Sequence, residues 1–125
     1  MGLLDMWREA RGAMMRKEYE DAMTRMRNAN SSARSAFLAS IDTRIEDVVN
    51  LYGLASKSER KVLLKQARQS ALAMWNSGDW PSALGLSIAC LNAESRYVPG
   101  EDAAYVSRET GRLIQEAEDA AGISS

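Results

Sequence analysis

The sequence predicts an all-α helical bundle, and three observations lead to that prediction. Nineteen of the 125 residues are alanine and seven are methionine, and both residue types favour helix. Apolar residues recur at steps of three and four, which is the spacing of one helix face. Signals for strands are weak, because no alternating run is bounded by an Asn-Gly or Asp-Gly turn. We therefore expect one domain over residues 1–125 with four or five helices, divided into a long helical region (1–52) and a hairpin plus C-terminal helix (56–122).

Residues 1–52 are predicted to form one long helical region. Its apolar stripe changes phase between Met14 and Met15, beside Gly12, and crosses a polar patch at residues 28–32. The stripe favours a single bent helix of about 45 residues. The Asn and Ser side chains of the patch favour two helices instead, because they compete for backbone hydrogen bonds and act as caps. Both alternatives remain open. The stripe consists of Leu3, Trp7, Ala10, Met14, Met15, Tyr19, Ala22, Met26, Ala29, Ala33 and Phe37, continuing to Ile41, Ile45, Val48 and Tyr52.

A helical hairpin is predicted over residues 57–96. Ser56 and Glu59 match a capping box, so a new helix should start directly after Ser56. Gly78 is expected to end that helix in a left-handed conformation, which glycine adopts without a steric penalty. Asp79 is expected to cap the second helix of the hairpin.

The segment 67–92, about a fifth of the chain, resembles a tetratricopeptide-type helical hairpin. Such repeats place small residues where their two helices cross, and Trp80 stands where the repeat usually has tyrosine after Gly-Asp. The match departs at Ser87, where a large aromatic is common, and at Ser95, where the closing proline would stand. The resemblance implies a protein-binding role. The matching small positions are Ala71, Gly78, Ala83 and Cys90.

The composition excludes the commonest catalytic and metal-binding arrangements. With no histidine and one cysteine, Cys90, the chain cannot form a Cys/His zinc site, a histidine-based catalytic triad or an intramolecular disulfide. We expect no cofactor, no metal and no enzymatic activity. A carboxylate-only catalyst would have to use Glu94, Glu101 and Asp102 near Pro99, and these acids are more simply explained as charges flanking a helix start.

Charge is distributed unevenly although the net charge is only −1. Residues 1–40 carry seven basic and five acidic groups, residues 41–75 six and four, and residues 76–125 three and eight. The basic face of the helix at 57–68 predicts an alternative function, a small nucleic-acid-associated regulator. A nearly neutral chain disfavours this alternative. The residues of that face are Lys57, Arg60, Lys61, Lys65 and Arg68, with Arg25, Arg27 and Arg34 as further basic groups.

The long apolar stripe also predicts self-association, because the shorter helices are not expected to cover all of it. We expect a homo-oligomer, most simply a dimer. Peripheral membrane contact by the N-terminal helix is disfavoured because Asp5 and Glu9 interrupt its basic side. The residues predicted to form the seam between copies are Trp7, Met15, Tyr19 and Met26.

The favoured interpretation is a non-enzymatic interaction or assembly module. It would bind a helix or extended peptide of another protein in a groove between the 67–91 hairpin and the last helix. A cytoplasmic location is expected, because Asp5 interrupts the N-terminal apolar run before a secretory signal could form. The predicted anchors are Trp75, Trp80, Leu84, Tyr97 and Tyr105, and the predicted polar rim is Arg96, Arg108 and Arg112.

Overall fold

A computed structural model describes residues 2–11 and 16–122. Within these two ranges the chain forms six α-helices and one short 3-10 turn, and no strand, so the predicted all-α class is confirmed. Six helices exceed the four or five expected. The helices are α1 (Leu3–Arg11), α2 (Arg16–Arg27), α3 (Ser31–Gly53), α4 (Lys57–Asn76), α5 (Trp80–Ser95) and α6 (Ala103–Ala120), and the 3-10 turn is Gly100–Asp102.

The predicted long N-terminal helical region contains α1, α2 and α3, and it is interrupted before α3. The break before α3 falls in the predicted polar patch, where Asn30 Oδ1 accepts a hydrogen bond from the backbone N–H of Ala33 at 2.9 Å. Asparagine therefore acts as the N-cap, and the continuous alternative is wrong. The described part of α1 extends to Arg11. Met15 lies outside the described residues.

The predicted boundaries of the hairpin are confirmed. Glu59 N–H donates to Ser56 Oγ at 3.3 Å, and Ser56 N–H donates to Glu59 Oε1 at 3.1 Å, which completes the capping box of α4. Gly78 follows α4 with φ +89°, the left-handed region that favours glycine. Asp79 Oδ1 accepts from Ser82 N–H at 3.4 Å and caps α5.

Helix α5 is the centre of the fold and contacts α1, α2, α3, α4 and α6. Every residue from Ala83 to Leu91 is buried, as expected for a helix that is apolar on all sides. The most extensive packing is against α3, and Gly85 permits it: a Cβ there would lie 3.1 Å from Ser40 Oγ. A missing side chain thus lets the two helix axes approach closely.

Several large apolar side chains of the N-terminal helices are covered by the chain itself. Trp7 is 1% exposed, and its Nε1–H donates to Thr110 Oγ1 at 3.0 Å, which links α1 to α6. The predicted seam between two copies is therefore corrected at Trp7 and Met26, because both are already buried in one chain. Tyr19 is partly buried against the same core. The break before α3 lets this region fold back over α5, which an uninterrupted helix could not do.

Candidate functional site

The residues predicted to anchor a partner do not form one surface. Trp80 begins α5 and Tyr97 lies just beyond its end, so about 25 Å of helix separates them. Leu84 is fully buried in the core, so its prediction as a partner-binding residue is wrong. Tyr105 is 48% exposed, but the edge of its ring lies against Trp7, with the ring centroids 6.2 Å apart.

Two of the predicted anchors are each covered by a guanidinium group. Arg25 lies over the ring of Trp75 at 4.9 Å, and Arg60 lies over the ring of Tyr97 at 4.0 Å. Such cation–π contacts contribute on the order of 0.5–2 kcal/mol and occupy one face of each ring. These aromatic rings therefore serve contacts within the chain, which sequence spacing did not reveal.

A groove does lie beside the hairpin and the last helix, and we call it the central groove. Its volume is about 650 Å³, within the range of ligand-binding clefts, and α1, α2, α5 and α6 contribute its walls. Among the described residues, Arg112 is the only member of the predicted partner-binding set that lines it. The lining residues are Arg8, Ala10, Arg11, Tyr19, Glu20, Ser87, Ile88, Leu91, Arg112, Leu113 and Glu116.

Ion pairs connect the helices at the rim of the central groove. Arg112 lies 2.6 Å from Glu109 and 3.4 Å from Glu116. Arg11 of α1 also pairs with Glu109, at 3.1 Å, and Arg27 of α2 pairs with Glu116 at 3.9 Å. The hydrogen bond from Arg112 holds the pKa of Glu109 below its usual value. Because exposed ion pairs contribute little stability, an incoming anion can exchange with these carboxylates at small cost.

The hydroxyl of Tyr19 is buried in the wall of the central groove. It has no hydrogen-bond partner among the described residues. Burial, followed by the negative charge of Glu116, raises the pKa of Tyr19 to about 12, so the hydroxyl stays protonated at neutral pH. A buried donor without an acceptor destabilises the fold by about 1–3 kcal/mol, and a bound acceptor would remove that penalty. The sequence predicted Tyr19 only as a residue of the seam between two copies. Its position on the apolar stripe does not indicate where its hydroxyl lies.

A second polar cluster is buried between α3, α4 and α5. Glu94 is 0% exposed, and neither of its carboxylate oxygens has a hydrogen-bond partner in the described ranges. Burial raises the pKa of Glu94 to about 7, although the nearby Arg60 guanidinium lowers it. Tyr52 and Cys90 lie in the same cluster, and burial raises the pKa of the Cys90 thiol to about 12. None of these three residues lines the central groove, so we assign the cluster no contact with a binding partner.

The basic face of α4 contains four residues rather than the predicted five. Arg60 turns inward, is 8% exposed, and donates from Nη1 to the Ala55 carbonyl at 3.4 Å. The other four cations are exposed and make no ion pair within the described part of the chain. We call them the basic stripe: Lys57, Lys61, Lys65 and Arg68.

The additional basic residues of the predicted phosphate-binding surface are engaged elsewhere. Arg25 stacks on Trp75, and Arg27 pairs with Glu116. Arg34 Nη2 donates to the backbone carbonyl of Arg27 at 3.0 Å. These three arginines therefore do not extend the basic stripe.

The three acidic residues considered for a carboxylate-only catalytic site do not share one environment. Glu101 and Asp102 are exposed in the 3-10 turn, whereas Glu94 lies in the core. Within residues 2–11 and 16–122, no group of three or more potential metal ligands converges on one point. In the same ranges, no helix combines the length and apolar content needed to cross a bilayer.

No protein-family model, curated protein or solved structure matches this chain.

Proposed function

We propose that this protein is a non-enzymatic interaction module that binds a segment of another protein in the central groove. The observation that carries the proposal is an apolar floor beneath a cationic rim, in a groove large enough for one or two side chains. The occupant that fits best is an extended or helical segment in which a large apolar residue stands next to a carboxylate. The apolar residue would lie on the floor, and the carboxylate would reach the rim.

The charges of the central groove support this choice of occupant. Its three lining arginines already pair with Asp5, Glu109 and Glu116, but the arginine side chains of these pairs are largely exposed, so the pairs are weak. A carboxylate from a partner would compete for these arginines and accept a hydrogen bond from Tyr19. The floor residues that would receive the apolar side chain are Ile88, Leu91 and Leu113.

The hairpin formed by α4 and α5 adds a second, weaker line of support. Its small residues Ala71, Ala83 and Cys90 are completely buried. Small buried residues suit a tetratricopeptide-like helix crossing, and proteins of that type bind other proteins. A cytoplasmic setting is part of the proposal, because the lone buried cysteine requires no oxidising compartment.

The test uses an array of short synthetic peptides in which an apolar residue is placed next to aspartate, to glutamate or to a free C-terminal carboxylate. Peptides that bind are assigned to the surface from amide chemical-shift changes of the labelled protein. The decisive variant is Tyr19→Phe, which removes only the hydroxyl. We expect it to weaken the binding of carboxylate-containing peptides by about tenfold, because one charge-assisted hydrogen bond is lost.

Tyr105→Phe is the matched control, since Tyr105 is exposed on α6 and does not line the central groove. It should leave binding unchanged. The proposal is wrong if peptides shift amides away from the central groove, if no peptide binds, or if Tyr105→Phe weakens binding as much as Tyr19→Phe. The last result would restore the surface predicted from the sequence.

A further inference from the structure

The basic stripe lies beside a second groove that the proposed function does not use. This groove, which we call the basic groove, runs between α1 and α4 and has a volume of about 360 Å³. Its lining combines three cations, one apolar residue and one acid: Lys61, Lys65, Arg68, Val62 and Glu9.

The four cations of the basic stripe lie on one side of α4. They are spaced by four, four and three residues, so they follow one helix face over about 16 Å. Like charges at this spacing repel one another, and no described acid lies within ion-pair distance of them. A row of unpaired cations is complementary to a row of anions with the same spacing.

Val62 and Glu9 restrict which kind of partner can fit the basic groove. Val62 is 56% exposed beside the cations, so it can receive an apolar side chain. Glu9 would repel a continuous polyphosphate, whereas a protein helix can present a lysine or arginine at that one position. The chain carries a net charge of −1, which also opposes a nucleic-acid partner.

From these observations we infer that the basic groove binds an acidic amphipathic helix of a partner protein. Acidic residues of that helix, spaced by four or three, pair with Lys57, Lys61, Lys65 and Arg68. An apolar residue on the same face packs against Val62. Two helices forming a groove that accepts a third is a common mode of peptide recognition.

The probe is a fluorescein-labelled helical peptide of about twenty residues, with glutamates at the spacing of the basic stripe and leucine on the same face. A second peptide of identical composition distributes the glutamates around the helix. Binding is measured by fluorescence anisotropy at two salt concentrations. We expect the patterned peptide to bind at least about tenfold more tightly than the scrambled one, and its affinity to fall as salt is added.

The protein variant is Lys61→Glu with Lys65→Glu, two exposed residues without ion pairs, so the fold should be retained and is checked by circular dichroism. The matched control is Arg96→Glu with Arg108→Glu, the same change of charge at exposed positions outside both grooves. The first pair of substitutions should weaken binding of the patterned peptide by at least about tenfold. The control pair should weaken it by no more than about threefold. A peptide with lysines in place of the glutamates should bind the first variant and not the wild type.

Several results would overturn the inference. The patterned and scrambled peptides could bind equally, or both charge-reversal pairs could weaken binding equally. Duplex DNA or vesicles containing anionic lipid could bind more tightly than the patterned peptide at the same salt, which would assign the basic groove to that partner instead. Absence of peptide binding at low salt would also contradict it.

Discussion

Buried polar side chains without partners are the most informative single residues in this protein. Glu94 has both carboxylate oxygens in the core without hydrogen bonds from the described residues. Arg60 is near enough to Glu94 to lower its pKa, yet burial has the larger effect and raises it. The neutral carboxylic acid is therefore the form that the folded protein favours.

Glu94 should make the stability of the protein depend on pH. Its pKa is about 7 in the folded chain, against an ordinary value of 4.5, so the unfolded chain loses its proton first as pH rises. The contribution of Glu94 to the free energy of unfolding should be highest below about pH 4.5, fall between pH 4.5 and 7, and level off above. Glu94→Gln should remove this dependence and stabilise the fold by roughly 2–3 kcal/mol at pH 8.

The measurement is urea unfolding of the wild type, Glu94→Gln and the control Glu101→Gln at several pH values. Because Glu101 is exposed, Glu101→Gln should show the same dependence of stability on pH as the wild type. A Glu94→Gln variant that is less stable than the wild type at pH 8 would show that an ionised Glu94 stabilises the fold through Arg60.

At the scale of elements, helix α5 determines how closely the other helices approach. Its contact with α3 depends on Gly85, where an added Cβ would lie 3.1 Å from Ser40 Oγ. That oxygen accepts a hydrogen bond from Arg44 Nε at 2.9 Å, which holds it in place. Gly111, in α6, is a helical glycine with open space around it. These two glycines therefore occupy opposite environments in similar helices.

Alanine substitutions at the two glycines should change the stability of the protein in opposite directions. Gly111→Ala should stabilise the protein by about 0.5–1 kcal/mol, because alanine favours helix and meets no neighbour. Gly85→Ala should destabilise it by about 1 kcal/mol, because overpacking against Ser40 exceeds the gain in helix propensity. Thermal and urea unfolding report both changes. Equal stabilisation by the two substitutions would contradict a close contact between α3 and α5.

At the scale of the whole molecule, the largest side chains in the described part of the N-terminal apolar stripe are buried without a second copy. Helices α1, α2 and α3 each pack on α5, and Trp7, Met23, Met26 and Phe37 are at most 2% exposed. Among the described residues, the large apolar side chains that remain exposed are those of Leu51, Leu54, Val62 and Tyr105. A dimer was expected because of an uncovered stripe, and at Trp7, Met26 and Phe37 the stripe is covered.

We therefore expect the mass in solution to stay near 13.8 kDa across a wide dilution series. Sedimentation equilibrium measures it directly. If the mass instead doubles as concentration rises, Leu54→Ser tests the exposed end of α3, because Leu54 is 89% exposed and its change should leave the fold intact. A dimer that persists in that variant would require another surface.

Local signals in the sequence determined the helical class and several boundaries. Ser56 and Glu59 form the expected capping box, Gly78 and Asp79 form the expected turn, and the polar patch supplies an N-cap at Asn30. These features depend on residues within four positions of one another, so the sequence contains all the information they need.

Contacts between distant residues were decided only by the tertiary structure. The sequence could not show that Arg60 would turn inward onto Tyr97, that Leu84 would be fully buried, or that Tyr19 would place a hydroxyl in a groove made by four helices. Periodicity identifies which face of a helix is apolar, but not which neighbour covers that face. The grooves and the charges around them therefore follow from how the other five helices pack around α5.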